Sequence, residues 1–245
     1  MIEVSAVRKA FGSVQAVHDL SFRAEDGCVT GLLGPNGAGK TTTLRMLSGL
    51  MSADAGRIKV DDVEVAAHGL EVRRRLGVLP DARGLYPQLT AREHVELFGR
   101  LQGVRERELR ERCDCLFASL GLSELASRRV AGFSHGERSK VALARALVHE
   151  PRNVILDEPT NGLDVTSIRA IRELIRKLRS EGRCVLFSSH LMQEVAALCD
   201  QIVVIARGTV VASGTPELIR QQSGHDDLEE AFVALTGTET AETVQ

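Results

Sequence analysis

Gly34-Pro35-Asn36-Gly37-Ala38-Gly39-Lys40-Thr41 has the spacing G-x-x-x-x-G-K-T and is followed by a second threonine, Thr42. An apolar strand pattern ending in Gly31-Leu32-Leu33 runs in, and a helical pattern runs out. Gly34, Gly37 and Gly39 permit a tight backbone that aims several N–H groups inward at one anion. The helix, predicted to open near Thr41, adds its orphan amides and positive dipole end at the same point. Lys40 then reaches the β- and γ-phosphates of a nucleotide, and the Thr41 hydroxyl holds Mg²⁺. A glycine-rich turn that binds nothing is the alternative, and the Lys-Thr pair between strand and helix weighs against it. The chemistry expected is binding of a nucleoside triphosphate.

A second chemical group lies far downstream. Residues 151–159 read as an apolar strand running into Asp157-Glu158. Sheets present acids to a metal-bound phosphate at their carboxyl edge. Asp157 suits the magnesium side and Glu158 suits a base for an attacking water. Two solvated acids at a strand end would be the plain reading if no phosphate loop lay upstream. His190 closes the strand pattern 184–187 in the same way, after Ser188-Ser189, which favours a site role over a simple surface histidine. Phe11, beside the turn glycine Gly12, is either a core aromatic or a stacking platform for a base, worth about 1–3 kcal/mol.

The elements that must position these groups read in order. Strands over 2–8 and 14–23 flank the turn at Phe11-Gly12. Leu44, Leu47 and Leu50 recur at helical spacing, with Gly49 near the end. A hairpin turns at Asp61-Asp62, and a helical run 70–76 leads to a strand at 77–79 that stops at Pro80-Asp81. Residues 90–127 are charged and helical, with the capping box Thr90-x-x-Glu93. Glu106/Arg110 and Glu108/Arg112 form i,i+4 pairs on one exposed face. Ser134 and Glu137 repeat the capping-box spacing ahead of an amphipathic helix over 138–148. Another helix covers 168–178, a hairpin turns at Arg207-Gly208, and Thr215-Pro216 opens a late helix. From about Thr236 the tail is small and polar and is expected to fray. The fold class is α/β: a P-loop core with a mixed sheet, an N-terminal antiparallel β subdomain and a helical insertion over about 82–150. No internal repeat appears, so residues 1–235 are read as one unit.

Composition narrows the partners. The chain has 245 residues, 43% hydrophobic, with net charge −2 and its basic residues dispersed, so nucleic-acid binding by phosphate neutralisation is not expected. Arg73-Arg74-Arg75 is the densest basic run and reads as a solvated face. Five cysteines without C-x-x-C or metal-ligand spacing point to reduced thiols in a cytosolic protein. The start, Met1-Ile2-Glu3-Val4, lacks a basic segment backed by an apolar run, so no signal peptide is expected. No apolar segment approaches the roughly 20 residues that span a bilayer. Service to a membrane therefore requires another subunit.

Taken together, these motifs resemble the ATP-binding subunit of ABC transporters over residues 1 to about 235. Residues 34–42 resemble the Walker A loop, so Gly34, Pro35, Asn36, Gly37, Ala38, Gly39, Lys40, Thr41 and Thr42 are implied to bind ATP. The same resemblance makes Phe11 the adenine-stacking aromatic and adds Val17 to the ATP-binding set. Asp157-Glu158 resembles Walker B with its catalytic glutamate, and His190 the switch histidine. Ser134-His135-Gly136, continued by Glu137, resembles the signature motif, and Asn161-Gly162-Leu163-Asp164 the D-loop. Asp81 stands where family members usually carry glutamine, and is read as a further group on the Mg²⁺ side. His135, Glu137 and Lys140 also depart from the usual Gly, Gln and Arg, and Asn153 sits where Walker B normally begins with an apolar residue.

More narrowly, residues 78–86, 133–140 and 183–200 are similar to sodium-export subunits of the NatA type. The resemblance implies a homodimer that sandwiches two ATP molecules, each loop facing the other subunit's signature motif. It also implies a cytoplasmic protein, peripheral on the inner face of the membrane, driving an integral permease through the helical insertion. Lys40, Glu158 and His190 would carry hydrolysis, with Mg²⁺ as cofactor. Drug or other small-molecule export is the alternative cargo. A soluble ABC ATPase of translation or repair would carry two units or a long coiled-coil insertion, and a P-loop kinase or GTPase would not need Ser134, Gly136 or His190.

Overall fold

A computed structural model of the chain describes residues 1–81 and 84–237. Ten strands form one sheet: β1 (Ile2–Phe11), β2 (Val14–Ala24), β3 (Val29–Leu33), β4 (Ala55–Val60), β5 (Val63–Glu64), β6 (Leu76–Leu79), β7 (Asn153–Asp157), β8 (Cys184–Ser188), β9 (Gln201–Ala206) and β10 (Thr209–Gly214). Their order is β5-β4-β1-β2-β10-β9-β3-β8-β7-β6. The ladders β9-β3-β8-β7-β6 are parallel, and β5-β4-β1-β2 are antiparallel. β10 joins the two halves, antiparallel to β9 and bridged in parallel to β2 at Thr209 and Asp19. The mixed sheet with an antiparallel N-terminal portion is the architecture expected from the sequence.

The central strands are apolar runs because both faces of the sheet are covered. β3, β7 and β8 are buried throughout. Alternate residues feed two cores. Leu33, Val154, Leu156, Val185, Phe187 and Val204 join one core with the helices of the insertion. Leu32, Ile155, Leu186, Val203 and Ile205 join the other, with Leu44 and Leu47 of α1 (Lys40–Leu47) and the N-terminal strands. The carboxyl ends of β3, β7 and β8 thereby meet at one edge, in register, with Asp157 beside Ser188.

Between β6 and β7 stand α3 (Ala91–Leu101), α4 (Glu106–Leu120) and α5 (His135–Leu147); α2 (Gly69–Arg75) precedes β6. Both capping boxes form, at Thr90/Glu93 and at Ser134/Glu137. α5 opens at His135, three residues ahead of the sequence expectation of Arg138, because the Ser134 cap starts the helix at once. The pairs Glu106/Arg110 and Glu108/Arg112 are present but long, at 3.9 and 3.6 Å. Tertiary partners hold their members more closely: Arg100 lies 2.9 Å from Glu106 and Arg112 lies 2.8 Å from Glu150.

α6 (Val165–Ser180) and α7 (Met192–Leu198) follow β7 and β8, and the chain ends in α8 (Pro216–Ser223) and α9 (Leu228–Thr236). α7 has no side-chain cap and α9 was not foreseen. Thr236 is a correction: it is buried as the last residue of α9, its hydroxyl bonded to the Phe232 carbonyl. The rest of the polar tail, 238–245, lies outside the described residues, as do 82 and 83 of the motif run 78–86.

His94 on α3 is fully buried, and its Nε2 accepts the Tyr86 N–H at 2.8 Å. Its ring stacks between Tyr86 and Phe98, with centroids at 5.5 and 5.6 Å. Burial, and then the neighbouring Arg145 guanidinium, push its pKa down to about 4. A histidine depressed in this way contributes stability fully above its ordinary value and loses it as pH falls through the folded value. His94→Gln keeps an acceptor for Tyr86 but cannot be protonated. It is expected to remove up to about 3 kcal/mol of the stability lost between pH 6.5 and 4, read from urea midpoints across that range. An unchanged acid loss in the variant would show that His94 does not set it.

Candidate nucleotide site

The turn from β3 into α1 wraps the mouth of a cavity of about 770 Å³ at the carboxyl edge of the sheet. Gly37 and Gly39 take φ of 79° and 101°, which a side chain would strain. A Cβ on Gly34 would meet the Ile205 carbonyl oxygen at 2.3 Å, and one on Gly39 the Ala16 carbonyl at 2.6 Å. The loop thus lies directly on the backbone of its neighbours. α1 opens at Lys40, one residue ahead of expectation.

Lys40 is 8% exposed, and its Nζ donates to the Gly34 carbonyl at 2.6 Å and the Pro35 carbonyl at 3.2 Å. Burial pushes its pKa down, against the Glu158 and Asp157 carboxylates, which pull it up. The ammonium is therefore curled inside its own loop, facing two acids across the cavity. A bound phosphate would supply the counter-charge that carbonyl dipoles only partly replace.

Those acids are held by a residue the sequence reading passed over. Ser188 Oγ donates to Asp157 Oδ1 at 2.6 Å and accepts the Glu158 N–H at 3.0 Å. The signal was its place at the end of β8, but pairing with Asp157 depends on strand register. Glu158 adopts a left-handed φ of 47°, uncommon for a residue with a side chain. His190 Nδ1 lies 2.9 Å from Glu158 Oε2. The two side chains expected from the sequence to act as base and switch histidine therefore meet directly.

Phe11, Asp81, Asp157, Glu158, His190 and the whole loop 34–42 line the one cavity. Phe11 is 48% exposed, with the Lys9 ammonium 5.7 Å from its ring centroid. Val17 is a correction to the expected lining: it is fully buried beneath Gly39, and Ala16 lines the cavity instead. Asn161 and Phe232 also line it. Phe232 lies on α9, far along the chain, where nothing local distinguishes it from a core aromatic.

Ser134, His135, Gly136 and Glu137 do not line this cavity. Glu137 and Ser134 complete the capping box, and Gly136 is buried where a Cβ would meet Ser167 Oγ at 3.0 Å. Asp164 caps α6, accepting from the Ser167 N–H at 2.9 Å and its hydroxyl at 2.7 Å, which hold its carboxyl below the usual range. The loop 34–42 and the turn 134–137 thus lie apart in the one chain.

The donors fit a Mg²⁺-nucleotide. A threonine hydroxyl and a buried carboxylate face one cavity with a lysine ammonium, and magnesium is ordinarily held by one or two such groups with substrate phosphates. Among the described residues, no group of three or more His, Cys, Asp and Glu side chains forms a cage of its own. A phosphate loop on a parallel sheet, with a carboxylate-ended strand one place beyond its neighbour β8, defines a P-loop nucleoside triphosphatase. A model of the ABC transporter family matches residues 17–161. The ABC transporter ATP-binding protein NatA of Bacillus subtilis (strain 168) is 44% identical over 222 residues, 90% of either chain. The chain belongs to the ABC transporter family and is an ATP-binding, ATP-hydrolysing subunit of it. The solved ATP-binding subunit of an ABC transporter superposes with a TM-score of 0.91 at 32% identity, over 96% of this chain and 99% of its own. A dimeric ATP-binding cassette in a post-hydrolysis state, bound to ADP and Pi, superposes at 0.80 with 25% identity, over 88% and 98% of the two chains.

Proposed function

We propose that this subunit hydrolyses ATP as a homodimer to drive an exporter, with sodium as cargo, through a separate integral membrane permease. The observation that carries the dimer is the split site: loop and signature turn both suit phosphate, yet they lie apart in one chain. A head-to-tail pair brings Ser134 and Gly136 of one copy to the loop of the other. The solved dimeric cassette bound to ADP and Pi supports that arrangement.

In this reading Lys40 and the loop amides bind the β- and γ-phosphates, and Phe11 stacks on the base. Thr41 and Asp157 would hold Mg²⁺, which supplies charge neutralisation at the transferred phosphoryl group. Glu158 takes a proton from the attacking water, and His190 keeps its carboxylate turned into the cavity. Asp81, on the same wall, is a further group on the metal side. An anionic ligand binds Mg²⁺ more firmly than an amide does. Asp81→Ala is therefore expected to raise the Mg²⁺ concentration for half-maximal ATPase activity several-fold. An unchanged Mg²⁺ titration would reduce Asp81 to a turn residue after Pro80.

No helix among the described residues is long and apolar enough to cross a membrane, and the permease is a partner in this reading. Its docking place is the cleft of about 440 Å³ where Phe98 and Arg145 of the insertion face Leu50, Val78 and Pro80. Leu50, Leu101 and Tyr86 are exposed. That surface suits a short amphipathic helix of a membrane subunit placed against the cytoplasmic face.

Sodium rests on the likeness of residues 78–86, 133–140 and 183–200 to sodium-export subunits. The test is co-purification from the native membrane, identification of the accompanying subunit, and reconstitution in inverted vesicles. ATP-dependent ²²Na⁺ accumulation, lost with Lys40→Ala, is the expected result. Vesicles that hydrolyse ATP and move another solute, but not sodium, would transfer the cargo to a drug or other small molecule.

A further inference from the structure

His135 occupies a turn where glycine is usual, and its side chain has a defined partner. Its Nε2 lies 3.1 Å from the Asn161 carbonyl oxygen, which fixes that nitrogen as the donor. The ring lies against Gly162, where even an added Cβ would sit 3.6 Å from its Cδ2 and Nε2. The Asn161 N–H in turn donates to the Glu158 carbonyl at 3.3 Å. Two hydrogen bonds thus connect the signature turn to the backbone of the base.

The backbone of Glu158 is held from both sides. Ser188 takes its N–H, Asn161 takes its carbonyl, and its left-handed φ of 47° leaves little freedom between them. Asn161 also lines the nucleotide cavity of its own chain. A displacement of His135 is therefore passed to the loop that carries Glu158. Misplacement of a catalytic group by about 1 Å can change a rate about 10²-fold. The bond from His135 is solvent-exposed here, where such bonds contribute little, and it strengthens once the turn is covered.

We propose that His135 is a positioning residue that couples the two ATP sites of the dimer: covering its turn by the partner's nucleotide sets Glu158 of its own chain for hydrolysis. Ser134 and the Gly136 backbone meet the opposite phosphate, while the imidazole acts inward, on the Asn161 carbonyl. This rests on the two-subunit reading above. It differs from a direct role of His135 on the opposite nucleotide in which active site it serves, its own chain's or the partner's.

That difference is measurable in mixed dimers. A small amount of hydrolysing chain is mixed with a large excess of Glu158→Gln chain, so that nearly all turnover comes from one Glu158. His135→Ala in the hydrolysing chain is expected to lower ATP turnover tenfold or more. His135→Ala in the excess chain should produce a loss at least tenfold smaller. His135→Gln in the hydrolysing chain, which keeps an N–H for the Asn161 carbonyl, should recover turnover to within about threefold of the parent. Equal losses in the two placements, a larger loss from the excess chain, or no loss in either overturns the proposal. ATP-driven dimerisation of Glu158→Gln alone, followed by light scattering, tests the two-subunit reading separately. Its failure would remove that reading and the coupling with it.

Discussion

Replacing Glu158 by glutamine is expected to lower ATP turnover about 10²–10⁴-fold and to leave the chain as a dimer in Mg-ATP. Glutamine has the shape of glutamate but cannot take the proton of the attacking water. Ser188 bonds only the backbone N–H of residue 158, and Asn161 only its carbonyl, so both contacts survive the change. His190 can still donate to an amide oxygen where it now meets the carboxylate at 2.9 Å. ATP binding therefore persists while the bridging phosphate is no longer removed. Light scattering should report monomer without nucleotide and dimer with Mg-ATP. Adding Ser134→Arg should abolish the shift while ATP affinity of the monomer stays, because Ser134 lies outside the chain's own cavity. A monomer at saturating Mg-ATP would count against the shared site.

Glu158 was legible in the sequence because the information is local. An apolar strand ending in two acids is written in consecutive residues, as are the glycine spacing of the loop and both capping boxes. What the sequence did not disclose depends on register and on distant partners. Ser188 braces both acids only because β8 and β7 pair with Asp157 opposite Ser188. Phe232 reaches the cavity only because α9 folds back against β9 and α7. Val17 and Ala16 alternate across one strand, and nothing in their identities says which of the two faces the nucleotide. Asn153 is the same lesson for a buried polar group. Fully buried in β7, it donates to Asp61 Oδ2 at 3.0 Å and accepts from the α-amino group of Met1 at 2.8 Å. A position usually apolar is thus satisfied by partners from the hairpin turn and the first residue. Arg112 makes the point for charge: its close partner is Glu150, beyond the helix that local spacing considers.

Lys40→Ala is expected to be the most damaging single change at the site, and to spare the fold. The ammonium is nearly buried, and that desolvation lowers its pKa. Alanine removes that burden together with two bonds to the Gly34 and Pro35 carbonyls, and it favours the helix that begins there. These effects oppose one another, so the unfolding free energy without nucleotide should change by no more than about 1 kcal/mol. With nucleotide the balance is one-sided. A charged hydrogen bond to phosphate contributes about 1.5–3 kcal/mol, or about 10–150-fold in affinity. Loss of one donor from the transition state adds about 10²–10³-fold in rate. Together kcat/KM for ATP should fall about 10³–10⁵-fold. Differential scanning calorimetry with and without Mg-ATP separates the two parts, since a ligand bound to the native state raises Tm by an amount that grows with the logarithm of its concentration over Kd. The parent chain should show a clearly larger ATP-dependent rise in Tm than Lys40→Ala, from nearly equal starting values. A variant that keeps the full rise would mean that the loop amides alone hold the phosphates, and that Lys40 acts only in the transition state.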